Sequence, residues 1–308
     1  MSGGEVLIVG TGALATLFAR RLRGAGVSVT MLGTWPEGLA ALQEKGAREE
    51  GDEREFRLRA TGNPAQCRGA RLALVLVKAW QTERAARQLA DCLAEDGVAL
   101  TLQNGLGNDT LLAEALGWPR VARGVTTLGA TLLAPGLVRP GGEGPVSLES
   151  QPRLSPLEGM LRRAGFAVNV VEDVRSLIWG KLVVSSAINP LTALLRVKNG
   201  ELLERPQVRD LLGELACETA GVAEALGVGL PFPSPEEAAR EVARRTAGNL
   251  SSMLQDVLRE APTEIDAING AVVRLAEERD LRAPVNRAVW SLVKALPVHG
   301  KIKELSEN

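Results

Sequence analysis

Near the N-terminus the run Glu5-Val6-Leu7-Ile8-Val9-Gly10 is apolar, rich in β-branched residues and closed by glycine, the pattern of a strand buried on both faces. It passes through Gly10-Thr11-Gly12-Ala13-Leu14-Ala15 into a helical spacing of apolar positions, Leu14, Leu17, Phe18 and Leu22. A second strand is predicted at 27–32, and two more at 71–77 and 97–102 with a helix over about 81–94 between them. Between the second strand and Arg71 the pattern predicts a helix near 37–44 and a strand near 56–61. Buried strands alternating with helices imply a parallel sheet covered on both faces, a Rossmann-type domain. Past Val121 the pattern changes to short strands at 125–132, 137–139 and 146–148, joined by Pro-Gly and Gly-Gly turns. These are expected as antiparallel additions to one sheet edge, followed by a helix at 156–164 and a strand at 167–171. From about 174 to 305 the pattern is almost wholly helical, with no strand pattern. The reading is therefore an α/β Rossmann-type dinucleotide-binding domain over 1–173, followed by an all-α C-terminal domain over 174–308.

Composition narrows the partners. The 308 residues leave room for two hydrophobic cores, and a formal net charge of −1 gives no reason to expect nucleic acid or an acidic membrane. The three cysteines, Cys67, Cys92 and Cys217, form no CxxC or Cys–His spacing, so they are read as small hydrophobes in a reducing compartment, with neither a disulfide framework nor a metal site. No basic-then-apolar leader is present, and no uninterrupted apolar run reaches the ~20 residues that a membrane span needs, so the expectation is a soluble cytoplasmic protein. A homo-oligomer is left open.

The glycine string carries the first chemistry. In GxGxxA after a strand, Gly10 makes the tight turn and Gly12 lets a phosphate approach the backbone. Ala15 is small enough for close helix–strand packing, and the helix N-terminus from Thr11 through Ala13 and Leu14 offers free N–H groups. The alternative is a structural βα turn; the motif's place in a βαβ unit favours the cofactor. After the second strand, where an NAD site usually carries an acid, the chain reads Met31-Leu32-Gly33-Thr34-Trp35. The absent acid points to NADP, and with no arginine nearby Thr34 is the donor available to a 2′-phosphate.

Polar residues gather where ligands of open sheets bind, beyond the carboxyl ends of the strands: Lys78-Ala79-Trp80-Gln81 and Gln103-Asn104-Gly105. Such residues are also ordinary turn formers, but both clusters fall at the same edge as the glycine loop. In the helical half, Lys181, Ser185 and Asn189 recur at i, i+4 and i+8 within the strongly apolar stretch 177–195. A helix apolar almost all round is buried, and a lysine there needs a partner or a task. Farther on, Asn249 and Ser252 are expected on one helix face. Thr263 with Asp266 reads as a capping box, which makes Glu264 a first-turn acid.

Taken in order, the strings GTGALA (10–15), VKAWQT (77–82), QNGLG (103–107), KLVVSSAINPLTAL (181–194), NGEL (199–202), NLSSMLQDV and TEIDAINGAV (within 249–273) resemble the ketopantoate reductase (2-dehydropantoate 2-reductase) family along essentially the whole chain. The resemblance implies NADPH-dependent reduction of ketopantoate to (R)-pantoate in pantothenate and coenzyme A synthesis, with the small-molecule substrate in the cleft between the two domains. It implies that Lys181 contacts the keto oxygen and serves as general acid, and that Glu264 orients lysine and substrate. Ser252 and Asn249 would hold the carboxylate and neighbouring oxygens, Asn104, Ser185 and Asn189 would contact substrate, and Lys78, Gln81 and Asn104 would line the cofactor side. Two positions depart from the family pattern: Ser185 replaces an asparagine, and Gly33-Thr34 stands where an arginine grips the 2′-phosphate. The sole histidine, His299, lies outside every matched string, which disfavours a histidine mechanism. The competing readings are a reductase of a different branched 2-keto acid, and a non-catalytic NADP(H) sensor.

Overall fold

The computed structural model describes residues 5–297, so His299 lies outside the described residues. By contact density the chain divides into two compact units: 1–103 with 107–174, and 104–106 with 175–308.

The first unit contains β1 (Glu5–Val9), α1 (Ala13–Gly24), β2 (Ser28–Leu32), α2 (Pro36–Lys45), β3 (Ala47–Glu49), β4 (Asp52–Phe56), β5 (Arg59–Thr61), β6 (Ala70–Val75), α3 (Thr82–Cys92), β7 (Leu93–Thr101), α4 (Asn108–Leu116), β8 (Val121–Thr126), β9 (Gly129–Ala134), β10 (Leu137–Gly142), β11 (Val146–Glu149), α5 (Ser155–Arg163) and β12 (Val168–Val171). Eight strands form one sheet in the order β12-β11-β8-β7-β6-β1-β2-β5, parallel except where β11 meets β8. The continuous apolar run of β1 follows from burial on both faces. Val6 and Ile8 pack with Phe18 and Leu22 of α1 and Leu157 of α5, while Leu7 and Val9 pack with Leu89 of α3 and Leu112 of α4. Phe18 is completely buried and stacks on Phe166 with ring centroids 4.4 Å apart. Because β2 and β6 flank β1, the strand order reverses at β1, which makes its carboxyl end the topological switch point of the sheet.

The antiparallel additions expected after Val121 are corrected in two respects. The strand expected at 125–132 is broken, with Thr126 Oγ1 accepting from the Leu128 N–H at 3.1 Å and donating to the Pro145 carbonyl at 3.0 Å. Residues 125–126 end β8, which runs parallel to β7 and pairs antiparallel with β11 as expected, whereas β9 joins a separate four-stranded sheet, β4-β3-β10-β9. That sheet is held by the polar side of α1: Arg20 pairs with Glu49 and Asp52 and lies over the Phe56 ring, and Arg21 pairs with Glu143. Helix α4 has no counterpart among the elements expected from the sequence pattern.

The second unit contains α6 (Arg175–Leu195), α7 (Pro206–Ala225), α8 (Pro235–Arg245), α9 (Ser252–Leu258), α10 (Asn269–Glu277) and α11 (Pro284–Lys294). Helix α6 is its axis. Trp179 and Leu182 pack with Met253 of α9 and Val272 and Val273 of α10, whereas Val183, Ala187 and Leu191 pack with Leu212 and Leu215 of α7 and Ala239 of α8. By length and composition α6 would span a bilayer, but 61% of its most apolar stretch is buried inside the protein, as befits a core helix.

Pro190 lies inside α6 and has no N–H to give the carbonyl four residues back, that of Ser186. Asn269 Nδ2 donates to that carbonyl instead, at 2.9 Å, and also to Asn286 Oδ1 at 2.9 Å. Asn286 Nδ2 donates in turn to Glu218 Oε2 at 2.9 Å, and the Glu218 carboxylate accepts the N–H groups of Val285 and Asn286 at the start of α11.

Candidate active site

At the carboxyl end of β1, Gly10 has φ +128°, and a Cβ there would lie 2.9 Å from the Leu76 carbonyl oxygen, so the tight turn excludes other residues. Gly12 differs. Its φ is −82°, and a Cβ would meet no protein atom. The space beside its Cα is open. Helix α1 then starts with no side-chain cap and no acid in its first turn, which leaves the positive end of its dipole without a neutralising side chain. Thr11, Ala13, Leu14 and the buried Ala15 complete this cradle, which fits a dinucleotide pyrophosphate. At the end of β2 a side chain on Gly33 would overlap Thr11, 2.6 Å from its Cγ2, so the first position able to reach outward is the exposed Thr34.

Two further turns stand at the same end of the parallel strands. After β6, Gln81 Oε1 accepts the Lys78 N–H at 3.3 Å, which places Lys78 and Gln81 on one short turn with Trp80 exposed between them. After β7, Gln103 Nε2 donates to the Val77 carbonyl at 3.0 Å and to Thr82 Oγ1 at 2.7 Å, bracing the two strand ends.

The helical unit holds the second group. Asn104, Gly105 and Leu106 belong to it despite their place in the sequence. The Leu106 N–H donates to the Ala267 carbonyl at 2.9 Å, and Gly105 has φ +79° with its Cα against that carbonyl, where a Cβ would overlap the oxygen. This seats Asn104 so that its Nδ2 donates to Glu264 Oε2 at 3.2 Å. Glu264 is only 5% exposed. The capping box expected around it is corrected: α10 begins at Asn269 with Ile268 as N-cap and no side-chain cap bond, while Glu264 opens a turn whose carbonyl accepts from Ala267 and Ile268. Asp266 is occupied by Trp290 Nε1 at 2.7 Å and by Lys294.

Lys181, Ser185 and Asn189 are each half-buried along α6, between positions that are fully packed. Burial pushes the Lys181 ammonium down from the ordinary lysine range to about 8, against the opposing pull of the Glu264 carboxylate. Ser185 Oγ donates back to the Leu182 carbonyl at 3.2 Å, which leaves its lone pairs as the free function.

Asn249 and Ser252 do not share a helix face. Helix α9 begins at Ser252, and Asn249 lies in the exposed segment before it. The cap is Ser251, whose Oγ accepts the Leu254 N–H at 3.0 Å and the Thr192 hydroxyl of α6 at 2.7 Å. The Asn249 carbonyl accepts the Asn199 N–H at 3.1 Å. Thr192, Asn199, Ser251 and Asn269 were not singled out in the sequence. The signal that could have found Asn269 is Pro190, because a buried helical proline leaves a carbonyl that some other donor must satisfy.

Comparison with known proteins decides the family. Residues 6–152 match the family described as ketopantoate reductase PanE/ApbA, and residues 173–297 match its C-terminal domain. The chain belongs to the ketopantoate reductase family. It is 37% identical over 299 residues to a 2-dehydropantoate 2-reductase of Halobacterium salinarum, covering 94% of this chain and 98% of that one. The crystal structure of a PanE/ApbA family ketopantoate reductase from Ralstonia eutropha superposes with a TM-score of 0.89 at 30% identity, covering 95% of this chain and 98% of that one. The ternary structure of D-mandelate dehydrogenase with NADH and anilino(oxo)acetate reaches a TM-score of 0.88 at 25% identity, covering 94% and 97%. Within the ketopantoate reductase family frame, the chain is an oxidoreductase with a parallel-dominated N-terminal sheet domain and a helical C-terminal domain.

Proposed function

We propose that this chain reduces 2-dehydropantoate to (R)-pantoate with NADPH, with residues 1–173 as the nucleotide domain and 174–308, joined by Asn104, as the catalytic domain. The observation that carries the reading is the Lys181–Glu264–Asn104 group: an ammonium half-buried in an apolar helix, beside a buried carboxylate that Asn104 orients. A dinucleotide held by its pyrophosphate at the glycine loop would supply the hydride from its nicotinamide.

The rest is the work of side chains. As the keto carbon becomes tetrahedral its oxygen gains negative charge, and Lys181 donates a hydrogen bond and then a proton to that oxygen. At pH 7 a lysine of pKa about 8 is still mostly protonated, and closer to the operating pH than an ordinary lysine, which favours proton transfer. Glu264 keeps the ammonium charged in spite of its burial, and Asn104 holds Glu264 in place. Asn189, Asn249 and Ser252 supply donors for the substrate's carboxylate and hydroxyl, and Ser185 supplies an acceptor for the hydroxyl. Thr11 to Ala15 hold the pyrophosphate, Thr34 meets the 2′-phosphate, and Lys78 and Gln81 lie along the nucleotide.

A second reading, reduction of a different 2-keto acid with NADH, is favoured by Ser185, by the absence of an arginine at 33–34, and by the likeness to the NADH-bound D-mandelate dehydrogenase. Turnover measured with 2-dehydropantoate and with other branched and aromatic 2-keto acids, each with NADPH and with NADH, separates the two. Preference for 2-dehydropantoate with NADPH supports the first reading; selective turnover of another acid with NADH replaces it with the second.

A further inference from the structure

Lys181 and Glu264 lie on separate elements, α6 and the turn before α10, and a donor–carboxylate pair works only at a fixed separation. A buried hydrogen bond ties α6 to the first residue of α10, just past the Glu264 turn. Ser186, five residues after Lys181, offers the carbonyl to which Pro190 cannot give the usual i→i−4 bond; Asn269, five residues after Glu264, donates to it at 2.9 Å. The path from Glu264 to Asn269 is itself braced, since Ile268 N–H donates to the Glu264 carbonyl at 3.1 Å and Gly270 N–H to the Ile265 carbonyl at 2.9 Å. Asn269 is completely buried, and so is Asn286, whose Oδ1 fixes the amide's orientation and which is anchored by Glu218 and the Leu215 carbonyl. An ordinary helical residue at 190 would satisfy Ser186 without burying two asparagines, so the arrangement costs stability unless the link itself is used.

We propose that Asn269 is a positioning residue for the Lys181–Glu264 pair, setting the depth of α6 against the Glu264 turn through the Ser186 carbonyl that Pro190 frees. The proposal rests on the assignment of Lys181 and Glu264 given above. Its test uses the whole protein with 2-dehydropantoate and NADPH, comparing Asn269→Leu, Pro190→Ala and the double variant by kcat, KM, the pH profile and melting temperature. Asn269→Leu is expected to lower kcat by about tenfold or more with little change in KM for the nucleotide, and to move the alkaline limb of the profile. In the double variant the backbone at position 190 regains an N–H for the Ser186 carbonyl, so melting temperature recovers while kcat and the limb do not. Recovery of kcat together with melting temperature, or an Asn269→Leu kcat within about twofold of the parent, overturns the proposal and leaves Asn269 a structural filler. Should Asn269→Leu fail to fold, Asn269→Ser, which keeps a donor but not the reach to both acceptors, carries the same comparison. Lys181→Ala run alongside tests the site assignment itself: near-normal turnover there removes that assignment whatever Asn269 does.

Discussion

Asn104 and Glu264 are 160 residues apart in the chain, yet the Asn104 amide donates to the Glu264 carboxylate at 3.2 Å. The contact depends on Gly105, whose left-handed backbone lets the chain pass flush against the Ala267 carbonyl. An asparagine just past a strand and a glutamate in a turn, each ordinary in isolation, become one element of a site. Glu264 is buried there with the charge that opposes the desolvation of Lys181.

Gly105→Ala tests that dependence. The new Cβ meets both the positive φ of +79° and the Ala267 oxygen, so a cost of about 1–3 kcal/mol in stability is expected. The displaced Asn104 lowers kcat more than a surface variant of equal melting temperature does. Thermal melts and steady-state kinetics on the same preparation check it.

The pH dependence follows from Lys181. Its ammonium must be protonated to donate, and its pKa is lowered to about 8, so kcat/KM is level below that pH and falls above it. In Glu264→Gln the residue that pulls the pKa upward is gone while burial remains, so the fall begins at lower pH. A profile of kcat/KM from about pH 6 to about pH 10 on both proteins reads the shift; an unchanged alkaline limb in Glu264→Gln would separate Glu264 from the lysine.

The two glycines of the phosphate loop are expected to fail in different ways. Gly12→Ala has an ordinary φ of −82° and open space at its Cβ, so the melting temperature stays put while NADPH binding weakens by about tenfold or more. Gly10→Ala drives a methyl against Leu76 at φ +128° and lowers stability first. Nucleotide titration by quenching of tryptophan fluorescence, set beside thermal melts, distinguishes them.

Much of this is legible in the sequence. A strand buried on both faces, a glycine turn and a 3.6-residue stripe are local patterns, and β1, α1 and the Lys181-Ser185-Asn189 face of α6 follow from them. The second sheet was not legible, because β3 and β10 pair across most of the first unit and nothing near either one announces the partner. The start of α9 is hidden in the sequence for a related reason. Ser251 and Ser252 look alike as caps, and only the Thr192 hydroxyl of α6 selects Ser251. In the sequence Glu264 has the look of a first-turn acid, because its burial and its bond to Asn104 are tertiary facts. The role of Pro190 was half visible: the missing N–H can be read from the residue, but not which asparagine answers it.

The most direct measurement is NADPH oxidation with 2-dehydropantoate by the parent and by Lys181→Ala, with nucleotide affinity determined on both. The account predicts brisk turnover by the parent, a loss of ~10²–10⁴-fold in the variant, and equal NADPH affinity in the two. Near-parental turnover by Lys181→Ala, or loss of nucleotide binding in step with turnover, would contradict a lysine that acts as the proton donor.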